Sequence, residues 1–228
     1  MLTPHIQVGI HNLPVWPEDQ SLAPLDEGAV FFKTDFADHE LFAPALKDAI
    51  ERLREDPEVK SQYSQALGGT KIYRLEQWLD PAAQLINARA VEAFKRAVKA
   101  ETGAIDMGWA NLYGYGDYSV AHAHIRCTGS VVYMVDGGDQ DDDDQFGGRF
   151  SIIDPRFPPC CKVASGYMTN PFCPILKPGS MIVFPSALVH SVNPYHGQRP
   201  RITLAWNMNE KPLQGDTLSM INQEAPPA

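Results

Sequence analysis

IDMGWANLYGYGDYSVAHAHIRCTGSVVYMV, residues 105–135, decides how this chain is read. Two runs in it, Ile105–Tyr113 and Ser130–Val135, are rich in the β-branched and aromatic residues that suit a pleated, half-buried surface. Between them Gly114, Gly116 and Asp117 punctuate the chain as a bend, and His122-Ala123-His124 follows. Residues two apart on an extended strand project to the same face, so both imidazoles aim to one side and can reach one ion. Gly116 stands six residues before His122, where a sharp bend lets the strand enter a barrel.

Downstream, further short β-rich runs are divided by Gly, Pro and Asp: Arg149–Ile153, Met181–Phe184 and Arg201–Asn207. Lys177-Pro178-Gly179 reads as a tight turn ahead of a strand. Upstream the pattern is helical. Residues 1–28 are Pro-rich and irregular, and Val30–Phe32 starts a strand. Leu46, Ile50 and Leu53 share one face of a helix over Ala43–Arg54, which Asp56-Pro57 stops. A second helix begins at the N-cap Asp80 with Pro81 in its first turn, repeats Ile86, Ala90, Phe94 and Ala97, and stops at Gly103. Two helices and then many short strands predict one α+β domain over 1–228, with helices buttressing a β-sandwich or barrel. Its helical part spans about 1–103, its β core about 104–210, and its tail, 211–228, ends in EAPPA and is expected to be mobile at the tip.

Composition narrows the function. With 228 residues, 44% hydrophobic and 21% charged, the chain is long enough for a sizeable core. A formal net charge of −9 argues against nucleic acid and against anionic membranes as partners. No apolar run approaches the ~20 residues needed to span a bilayer, and the N-terminal segment has no signal-peptide pattern. Cys127, Cys160, Cys161 and Cys173 lack a paired CxxC spacing, which fits reduced thiols of a cytoplasmic protein better than structural zinc.

Of the seven histidines, His190 joins the 122/124 pair by its surroundings: Gly179, Phe184 and Pro185 precede it at spacings that suit a turn, a buried strand and a bend. A third ligand from a strand facing the first pair across the barrel would complete a facial set. His5, His11, His39 and His196 lack such context and read as surface or structural. Arg201 and Thr203 share a strand face eleven residues and more beyond His190. A guanidinium there can grip a carboxylate through two parallel hydrogen bonds, with the Thr203 hydroxyl adding a third. Arg199 is the rival for that role.

The stretch from Trp109 to Asn209 resembles the Fe(II)/2-oxoglutarate-dependent oxygenases of the prolyl-4-hydroxylase-like branch. The resemblance rests on WANLYGYGDYSVAHAH at 109–124, SVVYMV at 130–135, FSIIDPR at 150–156, LKPGSMIVFPSALVHSV at 176–192 and RITLAWN at 201–207. It implies a double-stranded β-helix (jelly roll) and an enzyme that oxidises, by hydroxylation, an amino-acid, peptide or small-molecule substrate with O2. By the same resemblance, His122, His124 and His190 face the Fe(II), Arg201 and Thr203 bind the distal carboxylate of 2-oxoglutarate, and Tyr113 or Tyr133 adds a hydrogen bond. Asn111, Trp109 and Tyr118 are candidates for the substrate pocket.

Two departures stand out. His124 occupies a position where these enzymes usually carry a carboxylate. Either three imidazoles hold the metal or a carboxylate such as Asp117 or Asp154 moves in. The other is DGGDQDDDDQFGG at 136–148, an acidic insertion without EF-hand spacing, expected to be a solvated loop that could steer a cationic substrate if it borders the mouth. Two rivals remain at this level: a three-histidine cupin-type dioxygenase that does not use 2-oxoglutarate, and a non-catalytic jelly-roll binding module. The cupin's glutamate after the HxH is missing, since Ile125 to Gly129 contains no carboxylate.

Overall fold

The long sheet follows from period-2 alternation in strands buried on both faces. The computed structural model describes residues 3–26, 28–57, 68–139, 147–161 and 170–212. Its strands are β1 (His5–Val8), β2 (His11–Pro14), β3 (Ala23–Pro24), β4 (Phe32–Asp35), β5 (Thr70–Tyr73) and β6 (Ala104–Tyr113). Then come β7 (Ser119–His122), β8 (Gly129–Asp136), β9 (Phe150–Ile152), β10 (Ser180–Pro185), β11 (His190–Val192) and β12 (Arg201–Asn209). Among the described residues the α-helices are α1 (Ala43–Glu55) and α2 (Pro81–Val98).

Seven strands form the major sheet in the order β3-β4-β10-β8-β12-β6-β5, and three form a minor sheet, β7-β11-β9. A single bridge between Ile152 and Phe172 widens the minor sheet beyond β9. Every residue of β12 is buried, because its two faces are covered by different things. Ile202, Leu204, Trp206 and Met208 join Val131, Tyr133, Val135, Met181 and Val183 in a large core under α1 and α2. On the other face Phe150, Ile152, Ile182 and Phe184 fill a smaller core between the sheets, with Phe31 and Phe184 stacked at 5.5 Å. Arg201, Thr203 and Ala205 of β12 face the same interior, as do Trp109, Asn111 and Tyr113 of β6, and there the polar residues cluster.

The helices are buttresses as expected. Leu46 and Ile50 of α1 and Leu85, Ile86 and Phe94 of α2 are fully buried against the outer face of the major sheet. The Asp80 side chain accepts from the Ala82 amide at 2.9 Å, and Pro81 opens the helix without forfeiting a hydrogen bond. Fully buried Arg89 crosses from α2 to Asp38 with bonds of 2.8 and 2.5 Å and donates to the Pro14 carbonyl.

Two expectations change. α2 ends at Lys99, a left-handed residue at φ 57°, and not at Gly103, which instead packs against Phe94 ahead of β6. The part before residue 104 is not only helical. β3, β4 and β5 join the major sheet, and β5 in particular had no clear signal in a four-residue run after Gly68-Gly69. The turn before β10 is as read: Ser180 N–H donates to the Lys177 carbonyl and Gly179 supplies φ 90°. The tail expectation falls on residues 213–228, outside the described residues.

Candidate metal and cosubstrate site

β7 and β11 run antiparallel with His122 directly opposite His190, and β11 also pairs with β9, His190 opposite Ile152. The two histidines are therefore cross-strand neighbours in one small sheet. The sequence reading set them across the barrel, and that placement is corrected. A non-consecutive strand pairing is invisible to local pattern. His124 lies two residues past the end of β7, where its amide donates to the Ser186 carbonyl at 2.9 Å.

The three imidazoles converge. Ring centroids are 4.4 Å apart for His122 and His190, 5.1 Å for His122 and His124, and 5.2 Å for His124 and His190. One nitrogen from each lies within 4.8 Å of the others, a spacing one ion can bridge. His122 Nδ1 meets the Val120 carbonyl at 2.7 Å and His190 Nδ1 the Leu188 carbonyl at 2.9 Å. A carbonyl only accepts, so each Nδ1 carries the proton and each Nε2 keeps a free lone pair. Burial and mutual repulsion hold the imidazoles neutral, pulling His190 down to about 4 and His124 to about 3. Neutral, oriented imidazoles are the form that ligates a metal.

No carboxylate joins them among the described residues. Asp117 accepts from the Gly114 amide and shapes the bend at Gly116, which has φ 85°. Asp154 is buried, held by the Arg156 guanidinium and by the Val189 amide at 3.1 Å, next to His190. Arg156 also donates to the Ala187 carbonyl at 2.7 Å, so this pair braces the approach to β11. Its role is positional.

The triad opens into a cleft lined by Lys71, Trp109, Asn111, Tyr113, Arg201 and Thr203, among others. Arg201 is 3% exposed, sits with its guanidinium 5.4 Å from the Tyr113 ring, and leaves Nη1 without any hydrogen-bond partner. A buried cation with an orphaned donor fits a site made for an anion. Thr203 Oγ1 accepts from Asn111 Nδ2 at 3.4 Å, and Asn111 Oδ1 accepts from Trp109 Nε1 at 3.1 Å. The Tyr113 hydroxyl is 2.9 Å from Ser119 Oγ, and burial pushes its pKa up, so it stays protonated.

Over residues 107–207 the chain matches the family model described as "Putative 2OG-Fe(II) oxygenase". The match covers this segment, under half of the chain. The chain is similar in fold to a prolyl-4-hydroxylase from Pseudomonas putida, at 18% identity and TM-score 0.53 over 80% of this chain and 94% of that one. EctD from S. alaskensis in its apoform matches at 17% identity and TM-score 0.59 over 91% and 87%. The carbocyclase SnoK from nogalamycin biosynthesis matches at 9% and 0.59 over 89% and 92%. No curated protein matches the chain in sequence. The fold is thus the expected α+β double-stranded β-helix. The family match and the three-histidine site favour an iron and 2-oxoglutarate enzyme over the cupin and the binding module.

Not every predicted residue lies in the cleft. Tyr133 points to the opposite face of β8, where it is fully buried and its hydroxyl meets His39 Nδ1 at 2.6 Å. Its neighbour Val132 faces the cleft instead, as alternation demands. Tyr118 is 43% exposed and outside the cleft lining. Arg199 is on the surface, donating to the Gly138 carbonyl, so of the two arginines only Arg201 reaches the cleft. His39 is structural: buried among aromatic rings, with its pKa lowered by burial. The steering idea falls on residues 140–146, outside the described residues. Ahead of them, Asp136 is paired with Lys47 at 3.0 Å, and Asp139 accepts from the Tyr195 hydroxyl and the Arg199 amide. Lys71 was missed, since it stands on a strand with no sequence spacing that ties it to the histidines.

Proposed function

We propose that His122, His124 and His190 hold Fe(II) through Nε2 and that Arg201, aided by Thr203, binds the distal carboxylate of 2-oxoglutarate, in an enzyme that hydroxylates a small-molecule or peptide substrate. The observation that carries this reading is the unpartnered Nη1 of buried Arg201, which lines the same cleft as the three converging imidazoles. When bound, the metal and cosubstrate supply the activation of O2 that ends in succinate, CO2 and an oxidised C–H bond. The chain's own part is to orient and enclose. The Val120 and Leu188 carbonyls fix the tautomers of His122 and His190 and so aim their lone pairs. Arg201 and Thr203 fix one end of the cosubstrate, and the protonated Tyr113 hydroxyl is a donor beside them. Trp109, packed 5.7 Å from the His124 ring, and Phe150, 5.5 Å from the His190 ring, exclude water from the ligand edges. Three neutral ligands leave more charge on a dication than a carboxylate would, which strengthens its hold on the anionic cosubstrate.

No helix among the described residues is long and apolar enough to cross a membrane. Four free thiols fit a reducing cytoplasm. The test is succinate formation from 2-oxoglutarate under air, which should require Fe(II) and vanish in His190→Ala. Oxygen uptake indifferent to 2-oxoglutarate would refute the assignment.

A further inference from the structure

The cleft holds a second buried cation that neither metal nor cosubstrate accounts for. Lys71 on the edge strand β5 is 7% exposed, and its side chain lines the cleft. Among the described residues it has no hydrogen bond and no ion pair; its Nζ lies over the Trp109 ring at 5.4 Å. Burying an ammonium without a carboxylate is expensive, and cation–π contact offsets only part of the cost. An apolar residue would fill the same place on β5 without that cost. Burial lowers the pKa to about 8, which leaves the group charged in most molecules at neutral pH.

Lys71 stands on a different strand from Arg201. It pairs with Asn111 of β6, which pairs with Thr203 of β12. Two strand spacings, about 10 Å, separate its backbone from the strand that carries the clamp. The charges agree. A dication on three neutral imidazoles, met by a dianionic cosubstrate and Arg201, leaves one positive charge uncompensated, and Lys71 makes it two. The remaining ligand that could balance them is the substrate.

We infer that Lys71 is the substrate anchor and that the substrate carries a carboxylate, held at Nζ with its hydrocarbon part against the face of Trp109. This rests on Arg201 being the 2-oxoglutarate clamp, and the experiment separates the two ideas. The protein is loaded with Mn(II) and 2-oxoglutarate, which gives a redox-silent complex. Matched acid and amide probes are added, phenylacetate with phenylacetamide and N-acetylalanine with its amide. The relaxation of their protons by Mn(II) reports binding near the metal. The carboxylates should bind about tenfold more tightly than the amides. That preference should disappear in Lys71→Met and persist in Lys71→Arg. Calorimetry on the same proteins should find 2-oxoglutarate affinity within about threefold of wild type in Lys71→Met. Equal relaxation of acid and amide in the wild type would overturn the inference, as would a preference that survives Lys71→Met. A Lys71→Met protein that loses 2-oxoglutarate would reassign the lysine to the cosubstrate and overturn it too. Full 2-oxoglutarate affinity in Arg201→Met would sink the clamp itself, and the inference with it, on a different readout.

Discussion

Arg201→Met should make the metal-free protein more stable while weakening cosubstrate binding about a hundredfold. The guanidinium is 3% exposed and Nη1 has no partner, so the folded protein carries the desolvation cost of a charged donor. An unsatisfied buried polar group costs about 1–3 kcal/mol and a charged one more, so about 3 kcal/mol is taken for Arg201. The guanidinium's contact with the Tyr113 ring, 5.4 Å away and desolvated, returns about 2 kcal/mol of this. Met keeps the apolar stem, so the net gain is about 1 kcal/mol, or roughly 2–4 °C in the unfolding midpoint of a chain this size. Binding moves the other way. Two charge-assisted hydrogen bonds to a carboxylate are worth on the order of 3 kcal/mol, a loss of about a hundredfold in affinity. The assay is thermal unfolding with and without Mn(II) and 2-oxoglutarate, with calorimetry for the affinity. A metal-free variant that melts below the wild type would show that the guanidinium serves the fold, and the reasoning from its orphaned nitrogen would be wrong.

Asp38→Ala strands Arg89, which is fully buried, and should destabilise by about 3–5 kcal/mol, seen as a lower urea midpoint with an unchanged m-value. Gly108→Ala would bring a methyl to 2.8 Å from the Trp206 ring between the helices and β12; the expected drop of about 1–3 kcal/mol is read from the same titration. Asp154→Asn loses the ion pair to Arg156 that braces β11, so Mn(II) affinity measured by calorimetry should fall by about tenfold while far-UV circular dichroism stays unchanged. Burial lowers the His39 pKa below its ordinary 6.5. The unfolded chain therefore takes up a proton first, and stability falls as pH drops through 6.5. His39→Gln should flatten that part of the stability curve between pH 8 and 5, and an unchanged slope would contradict the burial argument.

The sequence carried the parts of the site that sit on long alternating runs or short fixed spacings. β6 and β12 were located to within two residues because Ile105–Tyr113 and Arg201–Asn207 have β-rich composition bounded by clear breakers. Asp80 and Pro81 announced α2, yet its end went unseen, because Lys99 takes the left-handed role without being glycine. β5 has four residues, too few for periodicity to register, and with it Lys71 was lost. Tyr133 failed for another reason. Alternation says that Val132 and Tyr133 face opposite ways, but not which way is inward when both faces of a strand are buried. The pairing of β7 with β11 depends on long-range topology, so the spacing from His122 to His190 implied a meeting without saying that they would be adjacent rungs.

That adjacency divides the triad into two kinds of position. Residues 122 and 190 are locked by the hydrogen-bond ladder: a slip of one residue would swing either side chain to the far side of the minor sheet. Residue 124 lies past the last rung, tethered by its amide to Ser186, with its side chain against Trp109 and the other two imidazoles. Donor chemistry can therefore be exchanged at 124 without rewriting the scaffold. If the three imidazoles hold Fe(II) as proposed, an aspartate placed there would change the donor set and leave the ladder that positions 122 and 190 standing.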